Sequence, residues 1–251
     1  MLANICKRFL FSKLTVPLHA MKKILICTVL LLSSLLLYAA GPEKEPYFCT
    51  RPGTILHYER YKAGTTKLLQ TTLFEIESVQ PSAKGRTVHY AVTMAKASGR
   101  ELLGGRAPQT SYVSPEGNTS LDFGETVKGF IQNMFPSAKV EVTNSEALLP
   151  VDMQPGDTLP EAHSTVKVVG INAHFHVTGR KVLRRETITT PAGTFDCMVV
   201  RERKEEDAPL HHTDNWLDNY YVRGLGYVRH DKYDKNMRLQ EIEVLVSIEE
   251  P

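Results

Sequence analysis

The chain has 251 residues, with 30 basic and 28 acidic side chains, a formal net charge of +2 and 42% hydrophobic residues. Five of the basic residues, Lys7, Arg8, Lys13, Lys22 and Lys23, lie in residues 1–40, which contain no Asp or Glu. The rest therefore carries 30 less 5 basic residues against 28 acidic ones, a net charge of −3 that gives no electrostatic footprint for nucleic acid.

Met21-Lys22-Lys23, the apolar run Ile24 to Leu37 and the small-residue end Tyr38-Ala39-Ala40-Gly41 have the order of a secretory signal peptide. The run is short and contains Ser33 and Ser34, whereas a membrane span needs roughly 20 apolar residues. Residues 21–40 are therefore expected to be removed, leaving no transmembrane segment and a periplasmic product. Residues 1–20 are expected to be an over-extended reading frame upstream of a start at Met21. Cys27 follows Ile26 inside the run, which disfavours lipidation. Residues 41–46 read as a mobile polar leader, and residues 47–251 as a single β-rich domain.

Only Cys49 and Cys197 lie beyond the signal peptide, and in an oxidising compartment two such cysteines are expected to form a disulfide; the alternative is two separate buried thiols. Thr72, Phe74 and Ile76, then Val88, Tyr90, Val92 and Met94, alternate with polar residues, as strands with one buried face do. Such half-wet strands belong to antiparallel sheets. Gly104-Gly105 reads as a turn or bulge.

One stretch has another period. Over Glu125 to Phe135 the residues Val127, Phe130, Ile131 and Met134 recur at i, i+3, i+4 and i+7, and Pro136 follows, predicting a short amphipathic helix whose stripe caps the sheet. Gly129 weakens that helix, and the alternative is a loop. Asp157-Thr158-Leu159 has the form of a D-[ST]-aliphatic O-glycosylation site at Thr158, or else of an ordinary turn after Gly156.

Val169, Ile171, Ala173, Phe175 and Val177 form another apolar row, with His174 and His176 on the opposite face. Residues two apart on a strand can both ligate zinc, but a third ligand is needed; His211, His212 and Asp214 are the candidates, and a solvated face is the favoured explanation. Thr190-Pro191-Ala192-Gly193 turns Glu186–Thr189 back into Phe195–Val200. The run Lys204-Glu205-Glu206-Asp207 reads as a solvated hairpin end, and Trp216 as a core or rim residue. Asp234-Lys235-Asn236 reads as a turn, with Asn236 able to take a left-handed conformation. In the last strand Ile242, Val244, Val246 and Ile248 are expected to face inward and Glu241, Glu243, Leu245 and Ser247 outward.

No G-x-S-x-G elbow, H-E-x-x-H pair or phosphate-cradling glycine loop occurs beyond the signal peptide, and no cofactor is expected. Arg180-Lys181-Val182, the stretch Glu186-Thr187-Ile188-Thr189-Thr190-Pro191-Ala192-Gly193-Thr194-Phe195-Asp196-Cys197, Trp216 and Tyr221 through Val228, together with Pro155–Pro160 and Tyr47-Phe48-Cys49 through Gly53-Thr54, resemble the TapB-like group of exported β-rich proteins. That resemblance implies a curved or nearly closed antiparallel sheet similar to the half-barrel of periplasmic lipoprotein carriers, a pairing of Cys49 with Cys197, and no inherited catalytic residue. The apolar helical stripe between Gly124 and Pro136 departs from it.

The expected architecture is thus all-β, a strongly curved antiparallel sheet or open barrel with one short helix against it. The expected function is a non-catalytic periplasmic protein that binds an apolar ligand or a protein segment in the curved sheet. The alternatives are a structural or interaction module of the cell envelope without a ligand cavity, and a zinc-dependent hydrolase. An apolar cavity of several hundred Å³ would discriminate between the first two.

Overall fold

Alternating side chains along the strands build one antiparallel sheet, seen in a computed structural model that describes residues 44–209 and 211–251. In chain order the elements are β1 (Ile55–Lys62), β2 (Leu68–Ser82), β3 (Gly85–Lys96), β4 (Ala107–Val113), β5 (Thr119–Leu121), α1 (Phe123–Met134), β6 (Val140–Asn144), β7 (Ala147–Leu149), β8 (Ala162–Val168), β9 (Ile171–Thr190), β10 (Gly193–Ala208), β11 (His211–Val222), β12 (Gly226–Asp234) and β13 (Leu239–Glu249). The sheet order is β6-β8-β9-β10-β11-β12-β13-β1-β2-β3-β4-β5-β7, all neighbours antiparallel, and β6 and β7 do not pair to close it. The expected all-β curved sheet with one helix is the observed fold. The signal-peptide pattern and residues 41–43 lie outside the described residues.

The inward row expected on β2 and β3 is observed, with Ile76, Val88, Tyr90 and Val92 buried. On β13 the expected phase is reversed: Glu243 and Leu245 are buried. Register places Tyr58 opposite Leu245 but His57 opposite Ser247, leaving Val246 as an extra residue. This bulge shifts the alternation, so that Ile248 again joins the core. Val169 is not in a strand; it takes φ 48° beside Gly170, and Val169 and Ile171 are exposed at the β8–β9 hairpin tip. In the β12–β13 turn the left-handed residue is Met237 (φ 60°), not Asn236, because the Asp234 carboxylate accepts from the Asn236 and Arg238 amides and fixes the turn one residue later.

The residues expected to form a mobile leader are docked where they are described: Arg223 donates to the Glu45 carbonyl at 3.0 Å, the Gly224 amide donates to the Pro46 carbonyl at 2.7 Å, and Pro46 is buried. The charge run Lys204–Asp207 closes β10 at the β10–β11 hairpin end, as expected, but only Asp207 is exposed and Lys204, Glu205 and Glu206 are half-buried.

Side chains close what the backbone leaves open. In β9 the register runs from Thr178 opposite Arg203 to Lys181 opposite Arg201, so Gly179 and Arg180 together face Glu202. Gly179 takes φ +58°, and this bulge turns Arg180 inward between Val177 and Val182, both buried. Arg180 is 1% exposed; it donates to the Pro160 carbonyl at 2.7 Å, to the Leu148 carbonyl of β7 at 3.1 Å and to Glu202 at 3.2 Å. A residue near one end of the sheet thereby holds the strand at the other. Leu149 packs with Val182, Met198 and Val200, and Ala147 with Ala162 and Val177, across the same seam.

Arg180→Met should lower stability by about 3–5 kcal/mol, because it leaves Glu202 buried without its cation. Adding Glu202→Leu should recover most of the loss in urea unfolding. A single variant as stable as the parent would show that the seam does not depend on this pair.

Candidate functional site

The concave face of the sheet encloses a cavity of about 360 Å³ beneath α1. Asp122 caps the helix, its carboxylate accepting from the Glu125 amide at 2.8 Å. The predicted helix is present, starting two residues earlier than the apolar spacing suggested, but the stripe is rotated: Phe123, Thr126 and Phe130 line the cavity, and of the four expected cap residues only Phe130 does so. Val127 and Ile131 follow Gly124 at helical spacing on the flank where Gly124 meets Val142 of β6 and Ser164 of β8, and Met134 is exposed.

The glycine that weakened the prediction has a packing reason. A Cβ at Gly129 would lie 2.7 Å from Gln109 and 3.1 Å from the Pro108 carbonyl of β4. One flank of the helix thus rests on β4 and the other on β6 and β8, which belong to opposite ends of the sheet.

Aromatic rings line the apolar part. Tyr58 of β1 stacks on Tyr227 of β12 at 4.8 Å, Phe74 of β2 stacks on Tyr90 of β3 at 6.0 Å, and Phe48 meets Tyr90 edge-on at 5.4 Å. Burial pushes the phenols of Tyr58, Tyr90 and Tyr227 well above their ordinary value, so all three remain neutral.

A polar side faces these rings. Glu243, 4% exposed, accepts from Thr72 at 3.2 Å and from Arg60 at 3.3 Å, with the Tyr227 hydroxyl at 3.4 Å. Glu202 accepts from Asn219 at 3.1 Å as well as from Arg180. Asn219 Oδ1 lies 2.6 Å from His230 Nδ1. An amide oxygen only accepts, so Nδ1 carries the proton, and in the neutral ring Nε2 is a bare acceptor. Burial, reinforced by Arg60, Lys204 and Lys232, pushes the His230 imidazole down to about 3.

A second space of about 350 Å³ shares Arg60, Lys204, Leu217 and His230 with this cavity and is also lined by Lys232, His211 and Glu206. Lys204 stands at the junction, its ammonium 5.3 Å above the Phe123 ring and 2.8 Å from Glu206.

The other candidate residues are not brought together. His176 Nδ1 lies 2.9 Å from His163 Nδ1, and His174 Nδ1 lies 3.1 Å from the Thr165 hydroxyl. Asp214 holds Arg203 in a two-point ion pair, and His211 and His212 lie beside Glu206 and Asp207. Among the described residues no three His, Cys, Asp or Glu side chains converge as metal ligands. Trp216 lies over Gly179 at the bulge. Thr158 is exposed and bridges to Lys181, while Leu159 beside it is buried.

The expected disulfide is not formed. Cys49 and Cys197 are both buried as free thiols in one hydrophobic cluster, and the Cys197 sulfur lies 3.6 Å from the Phe195 carbonyl. A buried thiol is a small hydrophobic group, and here the packing of the cluster accommodates each one separately. Burial pushes the Cys197 thiol up to about 12.

The residues of the polar side, Arg60, Glu202, Lys204, His230 and Glu243, were not singled out from the sequence. A charged residue at an inward strand position is visible only once the bulges are known.

The family model described as DUF3108-like matches residues 51–245. The chain belongs to this family. The match does not carry the TapB-like name suggested by the C-terminal residues. No curated protein matches. Two crystal structures share the fold. A candidate exported protein with a YmcC-like fold from Bacteroides fragilis is 23% identical with a TM-score of 0.65, covering 82% of this chain and 100% of that one. A candidate lipoprotein from Parabacteroides distasonis is 22% identical with a TM-score of 0.67, covering 83% of this chain and 100% of that one. No helix among the described residues is long and apolar enough to cross a membrane.

Two measurements check this site. The unfolded chain binds more protons than the folded one between about pH 3 and pH 6.5, because the buried His230 stays neutral there. The stability that neutrality contributes is complete above about pH 6.5 and falls with pH, by about 2 kcal/mol at pH 5. Urea midpoints from pH 7 to 5 should therefore decline less for His230→Gln than for the parent; equal decline would mean the ring is not held neutral. Iodoacetamide at pH 8 should leave both thiols unmodified in folded protein and label both after unfolding without reductant, whereas a mass showing a Cys49–Cys197 bond would contradict the free thiols.

Proposed function

We propose that this DUF3108-like protein is a non-catalytic exported protein of the periplasm that holds an apolar ligand in the cup of its sheet. The cavity under α1 is the observation that supports the reading. Its volume lies within the range of ligand pockets, and its walls combine aromatic faces with a few localised polar groups. A purely structural module would be expected to fill that space with its own side chains. Export is supported by the signal-peptide pattern of residues 21–40 and by the descriptions of the two structural relatives, one as exported and one as a lipoprotein.

A non-catalytic role is favoured by the way the polar groups are engaged. Glu202 and Glu243 are held by cations and amide or hydroxyl donors, and His230 faces an amide, not a nucleophile. Sites for acyl or glycosyl transfer require a group poised to accept or release a proton toward a substrate.

Titration with 1-decanol, followed calorimetrically, should show saturable binding with a negative heat-capacity change, the mark of apolar burial. Thr126→Trp, which projects an indole from α1 into the cavity, should weaken that binding at least tenfold while keeping the far-ultraviolet spectrum of the parent. Absence of saturable binding by any alkyl-chain probe in the parent protein would overturn the proposal.

A further inference from the structure

We infer that the cavity and the adjoining basic space form one site for a single-chain anionic amphiphile, with the alkyl chain among the rings beneath α1 and the headgroup between Arg60, Lys204 and Lys232. The inference rests on the reading of the cavity as a ligand site and adds the chemistry of the ligand.

The two spaces adjoin, with Arg60, Lys204, Leu217 and His230 common to both linings. They differ in character. The inner one is bounded by Tyr58, Phe74, Tyr90, Tyr227, Phe123 and Phe130, whereas the lining of the outer one brings Arg60, Lys204 and Lys232 together with Glu206, while Glu241 pairs with Lys232 at 3.6 Å and lies 3.9 Å from Arg60. A ligand filling both must therefore be apolar at one end and anionic at the other.

The acids near the inner space do not reverse that sign. Glu202 is neutralised by Arg180 and bonded by Asn219; Glu243 takes Arg60, Thr72 and Tyr227; Asp122 accepts from the first turn of α1. The lysines have donors to spare. An ammonium carries three N–H groups, and the ion pairs of these two are Lys204 with Glu206 at 2.8 Å and Lys232 with Glu241 at 3.6 Å. Arg60 presents a five-donor fork in which Nη2 serves Glu243 and Nη1 lies 3.9 Å from Glu241, beyond hydrogen-bond distance. Donors of that planar fork are left for carboxylate or phosphate oxygens. Lys204, over the Phe123 ring, stands where the chain of such a ligand would meet its head.

The test compares decanoate, decyl phosphate and 1-decanol on the full-length mature protein by calorimetry at pH 7.5 and low salt. At least one of the two anions should bind tenfold or more tightly than the alcohol, and the better one distinguishes a fatty carboxylate from a phosphate monoester head. Affinity should rise by about fourfold per added methylene in the preferred series until the cavity is full. The double variant Lys204→Gln/Lys232→Gln should reduce the anion-to-alcohol ratio to below threefold, with circular dichroism confirming the fold. If alcohol and anions bind equally, the cavity remains a ligand site and the headgroup inference fails. If the ratio survives the double variant, the lysines do not hold the head and the inference also fails. If no probe binds, the underlying reading fails first.

Discussion

Arg180 joins the two ends of a sheet that its backbone does not close. In a thirteen-strand sheet whose end strands β6 and β7 do not pair, one side of each lacks a strand partner, and proteins usually protect or cover such edges. Here one guanidinium reaches two carbonyls and one carboxylate, and its planar fork fixes their mutual positions. Desolvating such a pair costs several kcal/mol per ion before the mutual attraction offsets it, so an apolar replacement could match its stability. Leucines at these positions would not specify which carbonyl of β7 lies against β9. The pair therefore acts mainly on registry, and Glu202 passes that order on through Asn219 to the tautomer of His230.

The gap spanned in this way also explains the cavity. Adjacent strands lie about 4.8 Å apart, whereas a helix with its side chains is about 10 Å across. Seating α1 between β4 on one side and β6 and β8 on the other keeps the sheet ends wider apart than a pairing strand would. Gly124 and Gly129 allow both flanks to approach closely, since a methyl group at either would meet neighbouring atoms at less than 3 Å. The helix roofs the cup without filling it, because only every third or fourth residue reaches inward, and Thr126 between the two phenylalanines is small.

Fold class was legible because it depends on alternation, and most strands alternate over several residues. The Pro191-Ala192 turn was readable for a similar reason: Gly193 pairs with Thr190 across it, where the local sequence placed the reversal. Helix position was legible from four apolar residues, but its rotation was not. Val127, Phe130, Ile131 and Met134 define a face, and nothing local states that β6 and β8 take one side of it while the cavity takes the other. The candidate site was largely hidden. Lys204 looked like part of a solvated charge run, and Glu243 like an outward residue, since the inserted residue at Val246 puts the positions before it out of phase with Ile248 after it. Gly179 was the one local signal of comparable weight, a glycine inside a strand whose positive φ turns Arg180 toward the interior. The cysteines misled for a different reason: compartment and number argued for pairing, yet the hydrophobic cluster holds each sulfur separately.

The distribution of ion pairs around the sheet separates two kinds of charge. Arg201 with Asp218, Arg203 with Asp214 and Arg229 with Asp231 make two-point contacts in which each arginine remains about a third exposed, so water still solvates the cation. Asp214 is partly solvated as well, whereas Asp218 and Asp231 are buried and rely on their arginines as Glu243 does on Arg60, so location and not exposure sets the pairs apart. Arg180 with Glu202 and Arg60 with Glu243 instead put both carboxylates at the wall of the cavity. Charges there are expensive to keep, and the surrounding rings would pack at least as well against aliphatic side chains. One of the two pairs has a structural task at the seam. The other, Arg60 with Glu243, joins β1 to β13, strands already tied by an extended hydrogen-bond ladder, so registry does not require it. That pair places a guanidinium in the lining common to both spaces, oriented by a carboxylate that itself accepts from Thr72 and Tyr227.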